Sequence, residues 1–306
     1  MTNRITILLA TCNGAPHLAE QLASYVTQDD PDWDLWVSDD GSTDATIDVL
    51  EDFRTHHGAN REIRLLAGPQ KGPVANFMSL LIHPDLPPGP VALSDQDDVW
   101  FPDKLSRART ALTASAPVTL YGAQSVHTDQ NLREIGHSRM PLRSPSFTNA
   151  LTQNIVSGHS TVLSTAALEL VRRAGAPDGV PYHDWWLYQL ITGAGGMVKI
   201  DPSKVLFYRQ HGANAMGAHQ GPGASLRRAG QLLGQTYGRW IAANTAALGR
   251  VSDLLTPENR TVLETLSSEP ARAGPARARM LAHLGLHRQT RLASAALYLA
   301  ATLGRI

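Results

Sequence analysis

Two short acidic runs carry most of the chemical potential of this chain. Val37-Ser38-Asp39-Asp40-Gly41-Ser42 is one, and Val91-Ala92-Leu93-Ser94-Asp95-Gln96-Asp97-Asp98 is the other. Each follows an apolar stretch that reads as a buried strand, so each sets carboxylates at the strand end where an open parallel sheet receives a ligand. Carboxylates this close repel one another and favour a cation or donor groups nearby. Mg²⁺ and Mn²⁺ take oxygen ligands and bridge to phosphates, which points to metal-assisted handling of a phosphorylated substrate. Asp39-Asp40-Gly41-Ser42 also has a plain structural reading as a turn followed by a capped helix. Three acids within Asp95–Asp98 are harder to explain as a turn alone.

Two further groups lie downstream. In His183-Asp184-Trp185-Trp186, an acid between a histidine and two indoles suits a partly desolvated general base, and Trp faces stack on sugars. The competing reading is a helix start with Asp184 in its first turn and the Trp pair in a core. In Tyr208-Arg209-Gln210-His211, His211 is a candidate metal ligand and Arg209 a candidate phosphate partner.

These groups need a scaffold, and the pattern supplies one. Strands are expected at 5–10, 35–38, 64–67 and 91–94. Helices between them start near Pro16, Ser42–Asp44 and Val74, with apolar residues at helical spacing. This alternation predicts a mostly parallel sheet flanked by helices. Further on, helices are expected at 166–173 and 183–192, a loop over about 129–145, and strands at 118–121, 161–164, 198–200 and 205–208. From about Leu226 the pattern is helical. The expected division is a domain over residues 1–215 and a helical extension over 216–306.

Charge is unevenly spread. The net charge is zero, yet Val205 to Ile306 holds 12 Arg and 4 acids, which leaves the remainder acidic. An acidic half that takes cations and a basic tail facing a phosphate-rich surface fit this split, as do ordinary solvated helix faces. Cys12 is the sole cysteine, so neither an intrachain disulfide nor a cysteine zinc cluster can form. Ile5–Ala10 is too short for a signal segment, and no run reaches the roughly 20 apolar residues of a bilayer span. Leu292–Leu303, between Arg291 and Arg305, suits a core or interfacial helix. A cytoplasmic chain is expected, with peripheral contact at the inner face of the cytoplasmic membrane through the C-terminal helices. No GxxxxGK[ST], GxGxxG or GxSxG run occurs, which removes the common kinase-like, NAD-dependent and serine-hydrolase classes.

Taken in order, Ala10-Thr11-Cys12-Asn13-Gly14, the run 37–44, Ser94-Asp95-Gln96-Asp97-Asp98-Val99-Trp100, His183-Asp184-Trp185-Trp186 and Tyr208-Arg209-Gln210-His211 resemble the family 2 glycosyltransferases. The resemblance spans about residues 3–215 and looks most like the branch with rhamnosyltransferases of bacterial surface polysaccharides. It implies the GT-A fold and an inverting transfer from a nucleoside-diphosphate sugar, with rhamnose a candidate, to a glycan or lipid-linked glycan hydroxyl. It implies Ala10, Cys12, Asp39, Asp40, Lys71 and Asp97 on the donor nucleotide, and Asp95, Asp98 and His211 on Mg²⁺ or Mn²⁺. It further implies Asp184 as the base and His183, Trp185 and Trp186 on the acceptor side. His183 stands where many relatives carry Glu. A sugar nucleotidyltransferase and a non-catalytic nucleotide-binding or assembly subunit are the alternatives. The former usually needs an N-terminal Gly-rich basic loop that is missing here, and the latter sits badly with Asp184.

Overall fold

The computed structural model describes residues 4–210, 235–268 and 274–306. The chain divides into two compact units. The first comprises Met1–Met140, Val156–Ala176 and the stretch beginning at Lys199. The second comprises Pro141–Ile155, Pro177–Val198 and the C-terminal helices.

The first unit is built on a nine-stranded sheet in the order β3-β2-β1-β4-β8-β6-β9-β5, with β7 paired to β6. The strands are β1 (Ile5–Thr11), β2 (Trp33–Asp39), β3 (Ile63–Ala67), β4 (Val91–Ser94), β5 (Val99–Trp100), β6 (Thr119–Thr128), β7 (Glu134–His137), β8 (Val162–Leu163) and β9 (Met197–Arg209). β1, β2, β3 and β4 run parallel. β1, β2 and β4 are buried almost continuously, as strands covered on both faces must be, and the edge strand β3 is only partly buried. Helices α1 (Ala15–Val26), α2 (Thr46–His57) and α3 (Pro73–Leu81) connect them. Pro16 and Pro73 sit in first turns, where a missing N–H costs nothing.

Beyond β4 the sheet becomes mixed. β8 runs antiparallel to β4 and to β6, β7 to β6, and β5 to β9. The parallel character expected for most of the sheet therefore holds only for its first half. Helices α4 (Lys104–Thr113) and α6 (Thr165–Ala174) complete this unit. Ile7, Leu9, Leu22, Trp33, Leu35, Trp100, Leu105, Tyr121 and Val205 share one core. Tyr25 packs edge-on against Trp33 and Trp100, a favoured aromatic geometry.

The second unit holds α5 (Phe147–Ala150), α7 (His183–Gly193), α8 (Gln235–Gly249), α9 (Pro257–Ser268), α10 (Pro275–His283) and α11 (Arg291–Thr302). Its fixed points are polar as well as apolar. The Trp185 indole N–H donates to Ala150 O at 2.7 Å, and Tyr237 Oη donates to Thr152 O at 2.7 Å. Asn259 Nδ2 caps the carbonyl of Gly193, which ends α7.

Several boundaries differ from those the sequence suggests. The expected loop over 129–145 contains strand β7, which pairs back onto β6, and the two late strands are one long β9. Of the expected caps Ser42–Asp44, Asp44 serves α2: its Oδ1 accepts from Thr46 N at 3.0 Å at the start of the helix. α7 groups with the C-terminal helices in the second unit.

Candidate active site

The carboxyl ends of β1, β2 and β4 form one edge, and the tight loops that follow them hold the acids. After β2, Asp39 accepts hydrogen bonds from Thr11 Oγ1 (2.8 Å), Gly41 N (3.2 Å), Ser42 N (2.8 Å) and Ser42 Oγ (2.5 Å). Gly41 has φ +90°, a conformation that a side chain would strain. Asp40 takes Gln70 N at 2.6 Å on one oxygen and Gly72 N at 2.7 Å on the other, so it shapes the loop that displays the exposed Lys71. A Cβ on Gly68 would come within 2.9 Å of Asp40 Oδ1 and 2.8 Å of Asp39 O, which is why that loop passes so close.

Ala10 is half-buried at the end of β1, and Cys12 is exposed just beyond it. Burial together with Asp40, Asp39 and Asp44 pushes the Cys12 thiol up from its ordinary range, so it is a poor nucleophile. The side-chain amide of Gln96 clamps the Cys12 backbone. Its oxygen accepts from Cys12 N at 2.8 Å, and its nitrogen donates to Cys12 O at 3.0 Å. The nucleotide-side loop and the second acidic run are thus joined by a residue between the acids.

The second run is built differently. Ser94 Oγ bonds Gln21 Nε2 (2.7 Å) and Tyr25 Oη (2.6 Å), which pins the end of β4. Arg209, 2% exposed, donates to Asp97 O at 2.9 Å and to Gln130 O at 2.5 Å, and pairs with Glu20. Its guanidinium is spent holding the acidic loop, which corrects the reading of Arg209 as a phosphate ligand. Asp98 is fully buried, and neither carboxylate oxygen makes a hydrogen bond of ordinary geometry. Burial, then Asp97 and Asp95, push its carboxyl well above the usual range, against the pull of the Lys104 ammonium. Lys104 is itself completely buried. Its Nζ lies 3.3 Å from the centre of the Trp100 ring and donates to His159 O at 2.6 Å. Burial drives it well below an ordinary lysine despite Asp98 and Asp95.

His159 is the residue the sequence reading missed. One ligand atom each from Asp95, Asp98 and His159 lies within 4.8 Å of the others. His159 stacks on Tyr208, with ring centroids 4.5 Å apart. Its buried Nε2 has no hydrogen-bond partner among the described residues. Burial lowers its pKa to about 3, with Lys104 and His127 adding to the effect, so the ring is neutral and can ligate at any physiological pH. Two carboxylates and a neutral imidazole, with unsatisfied buried atoms on Asp98 and His159, fit Mg²⁺ or Mn²⁺. No local motif marks His159 among the twelve histidines. It arrives through pairing, because Thr161 O accepts from Leu93 N at 2.9 Å and β8 lies against β4.

Other candidates remain. His211 falls outside the described residues. His183 and Asp184 are half-buried in the first turn of α7, in the second unit. Asp184 Oδ1 accepts from Trp185 N at 2.7 Å. Burial holds His183 neutral, with a pKa of about 3. Trp185 and Trp186 are 2% and 1% exposed. Their rings are core, so sugar stacking on an open Trp face is corrected: the apolar side of α7 needed filling, and the indoles fill it.

A model described as "Glycosyl transferase family 2" matches residues 6–172. The chain is 26% identical over 245 residues to the Shigella flexneri protein "dTDP-rhamnosyl transferase RfbG", covering 78% of this chain and 84% of that one. Among solved structures it resembles S. aureus TarS 1–349 in complex with UDP-GlcNAc, with a TM-score of 0.55 and 14% identity over 99% of this chain and 90% of that one. It also resembles the mannosyltransferase PcManGT from Pyrobaculum calidifontis in complex with GDP-Man and Mn²⁺, with a TM-score of 0.54 and 20% identity over 99% and 86%. At these identities the structures speak to the fold, which is GT-A.

Proposed function

For a chain that belongs to glycosyl transferase family 2, we propose an inverting transfer of a sugar, rhamnose first among the candidates, from a nucleoside-diphosphate donor to a hydroxyl of a growing cell-surface or lipid-linked glycan. The observation that carries this reading is the buried Asp98 carboxylate, short of donors, beside Asp95 and His159. The likeness to a dTDP-rhamnosyl transferase favours a dTDP-sugar.

Asp95, Asp98 and His159 would hold a divalent cation, with His211 a further ligand proposed on the sequence pattern alone. The bound cation supplies charge neutralisation to the leaving diphosphate. Ala10, Cys12 and the loop ordered by Asp39 and Asp40 bind and orient the nucleoside. Asp40 acts there chiefly by fixing the 70–72 backbone. Lys71 meets phosphate as a flexible point charge, and Asp97 contributes from the loop that Arg209 holds in place. Asp184 takes the proton from the acceptor hydroxyl as that oxygen attacks the anomeric carbon from the face opposite the leaving group. A single displacement inverts the centre, with no covalent sugar–enzyme intermediate. His183, held neutral, borders the base on the acceptor side, and Trp185 and Trp186 support that helix from behind.

The deciding experiment measures donor binding and transfer in the same preparation. UDP-, dTDP- and GDP-sugars are screened by calorimetry with and without Mn²⁺, and Asp184→Asn is then compared with the parent chain. One nucleotide class should bind only with metal. The variant should retain that affinity and lose transfer on the order of 10³-fold or more. Undiminished turnover in Asp184→Asn would remove the base assignment, and absence of binding to every donor would point to the non-catalytic alternative.

A further inference from the structure

The C-terminal helix α11 presents an apolar stripe to solvent. Leu292 is 82% exposed, Leu299 52% and Leu303, just past its end, 55%. At 100° per residue these three positions fall within an arc of about 40° around the axis. Ala295 is exposed between them, Ala296 packs against the Trp185 and Tyr237 core, and Leu297, Ala300 and Ala301 are buried on the other side. From Leu292 to Leu303 the helix carries no charge. A solvated helix face normally alternates with charged residues, so a clean stripe on the outside is a surface in want of a partner.

The stripe continues beyond the helix. Arg143 N donates to Gln289 Oε1 at 2.8 Å, which sets the 142–143 segment beside the start of α11. Leu142, in that segment, is 75% exposed. A residue about 150 positions away in the chain thus adds a fourth exposed leucine at the same end.

Charge identifies the partner. From Gly274 to Ile306 there are five Arg and no acid. Arg291 and Arg305 bracket the stripe, and Arg143 adjoins it. All three are exposed, and among the described residues none has an ion-pair partner. A second copy of the chain is a poor occupant. A two-fold contact would set the same arginine-rimmed surface against itself, with no acid to answer it. Four leucines also fall short of the roughly 800 Å² per partner that stable interfaces bury. Nor is the helix a span: its 12 residues are about 18 Å long.

We propose that α11 lies in the plane of an anionic lipid bilayer, its leucines and Leu142 inserted at the headgroup boundary and the flanking arginines on lipid phosphates. Such binding combines buried apolar area with electrostatic attraction. It deepens the reading of a lipid-linked acceptor by supplying the surface on which that acceptor is carried. Its test uses neither donor nor transfer, so the two readings fail separately.

The full chain is sedimented with vesicles of phosphatidylcholine alone and of phosphatidylcholine with phosphatidylglycerol. Binding is expected with the anionic vesicles and should weaken as salt rises. Leu292→Glu with Leu299→Glu should lower the partition about tenfold or more, with the melting temperature unchanged because both sites are exposed. Arg291→Glu and Arg305→Glu should each lower it about fivefold. Failure to bind anionic vesicles would overturn the proposal. So would unaltered binding by the leucine variant, or a dimer in light scattering that the leucine variant dissolves.

Discussion

The two acidic runs look alike in sequence and end strands that flank β1 on either side, yet the fold treats them in opposite ways. Asp39 and Asp40 are met by backbone amides and hydroxyls from three loops. Asp98 is sealed in the interior beside a buried lysine, with only the Arg209 backbone near enough to favour its charge and no hydrogen bond of ordinary geometry on either oxygen. A carboxylate answered by amides shapes a loop, and its charge is already compensated. A carboxylate buried without donors keeps an open demand for positive charge. The difference separates residues that build the site from residues that can hold an ion in it.

The contrast can be broken most sharply at Asp98. Asp98→Asn should lower Mn²⁺-dependent donor affinity by more than about 100-fold, whereas Asp39→Asn should leave the metal requirement intact. Calorimetry with and without Mn²⁺ reads both, and a metal dependence that survives in Asp98→Asn would erase the distinction. Lys104→Met is next. The substitution deletes the hydrogen bond from Lys104 to His159 O and the amine that opposes the rise of the Asp98 carboxyl, and the metal-free protein should lose about 1–3 kcal/mol in denaturant titrations. Saturating Mn²⁺ should restore part of it, since the cation replaces the missing charge; a loss equal with and without metal would mean Lys104 only fills space. Asp39→Ala should cost about 1–3 kcal/mol through orphaned donors, and by the same amount with or without Mn²⁺.

The last test concerns the second unit. Burial puts the pKa of His183 at about 3 in the folded chain, against an ordinary value of 6.5. The unfolded chain therefore binds a proton that the native one refuses as pH falls below 6.5. Stability should decline from there toward pH 3. His183→Gln should flatten this acid limb in melts across that range, and an unchanged limb would place the buried titration elsewhere.

Much of the site was legible because strand-end chemistry is local. An apolar run followed by acids and glycine announces both the strand and its loop, so Asp39, Asp40, Asp95, Asp97 and Asp98 could be placed before any coordinates. His159 could not, because its position depends on antiparallel pairing between β8 and β4 across an interval of about 70 residues. The buried role of Arg209 was equally hidden, since Glu20 comes from α1 and the carbonyls it binds from two distant loops. The Trp pair misled because an indole next to an acid looks the same in sequence whether the ring faces a ligand or a core.

Taken by itself, the sequence determined the alternating elements of the first half of the sheet, the acids at their carboxyl ends, and a basic, acid-poor tail with an uncharged helical stretch. These follow from periodicity, turn chemistry and composition, all short-range. Tertiary structure alone decided which carboxylates are answered by amides and which are left buried, that Lys104 and His159 gather around Asp98, that α7 groups with the C-terminal helices, and that the leucines of α11 face outward. Each of these depends on which distant segments meet, and burial and hydrogen-bond satisfaction are properties of that meeting rather than of any residue type.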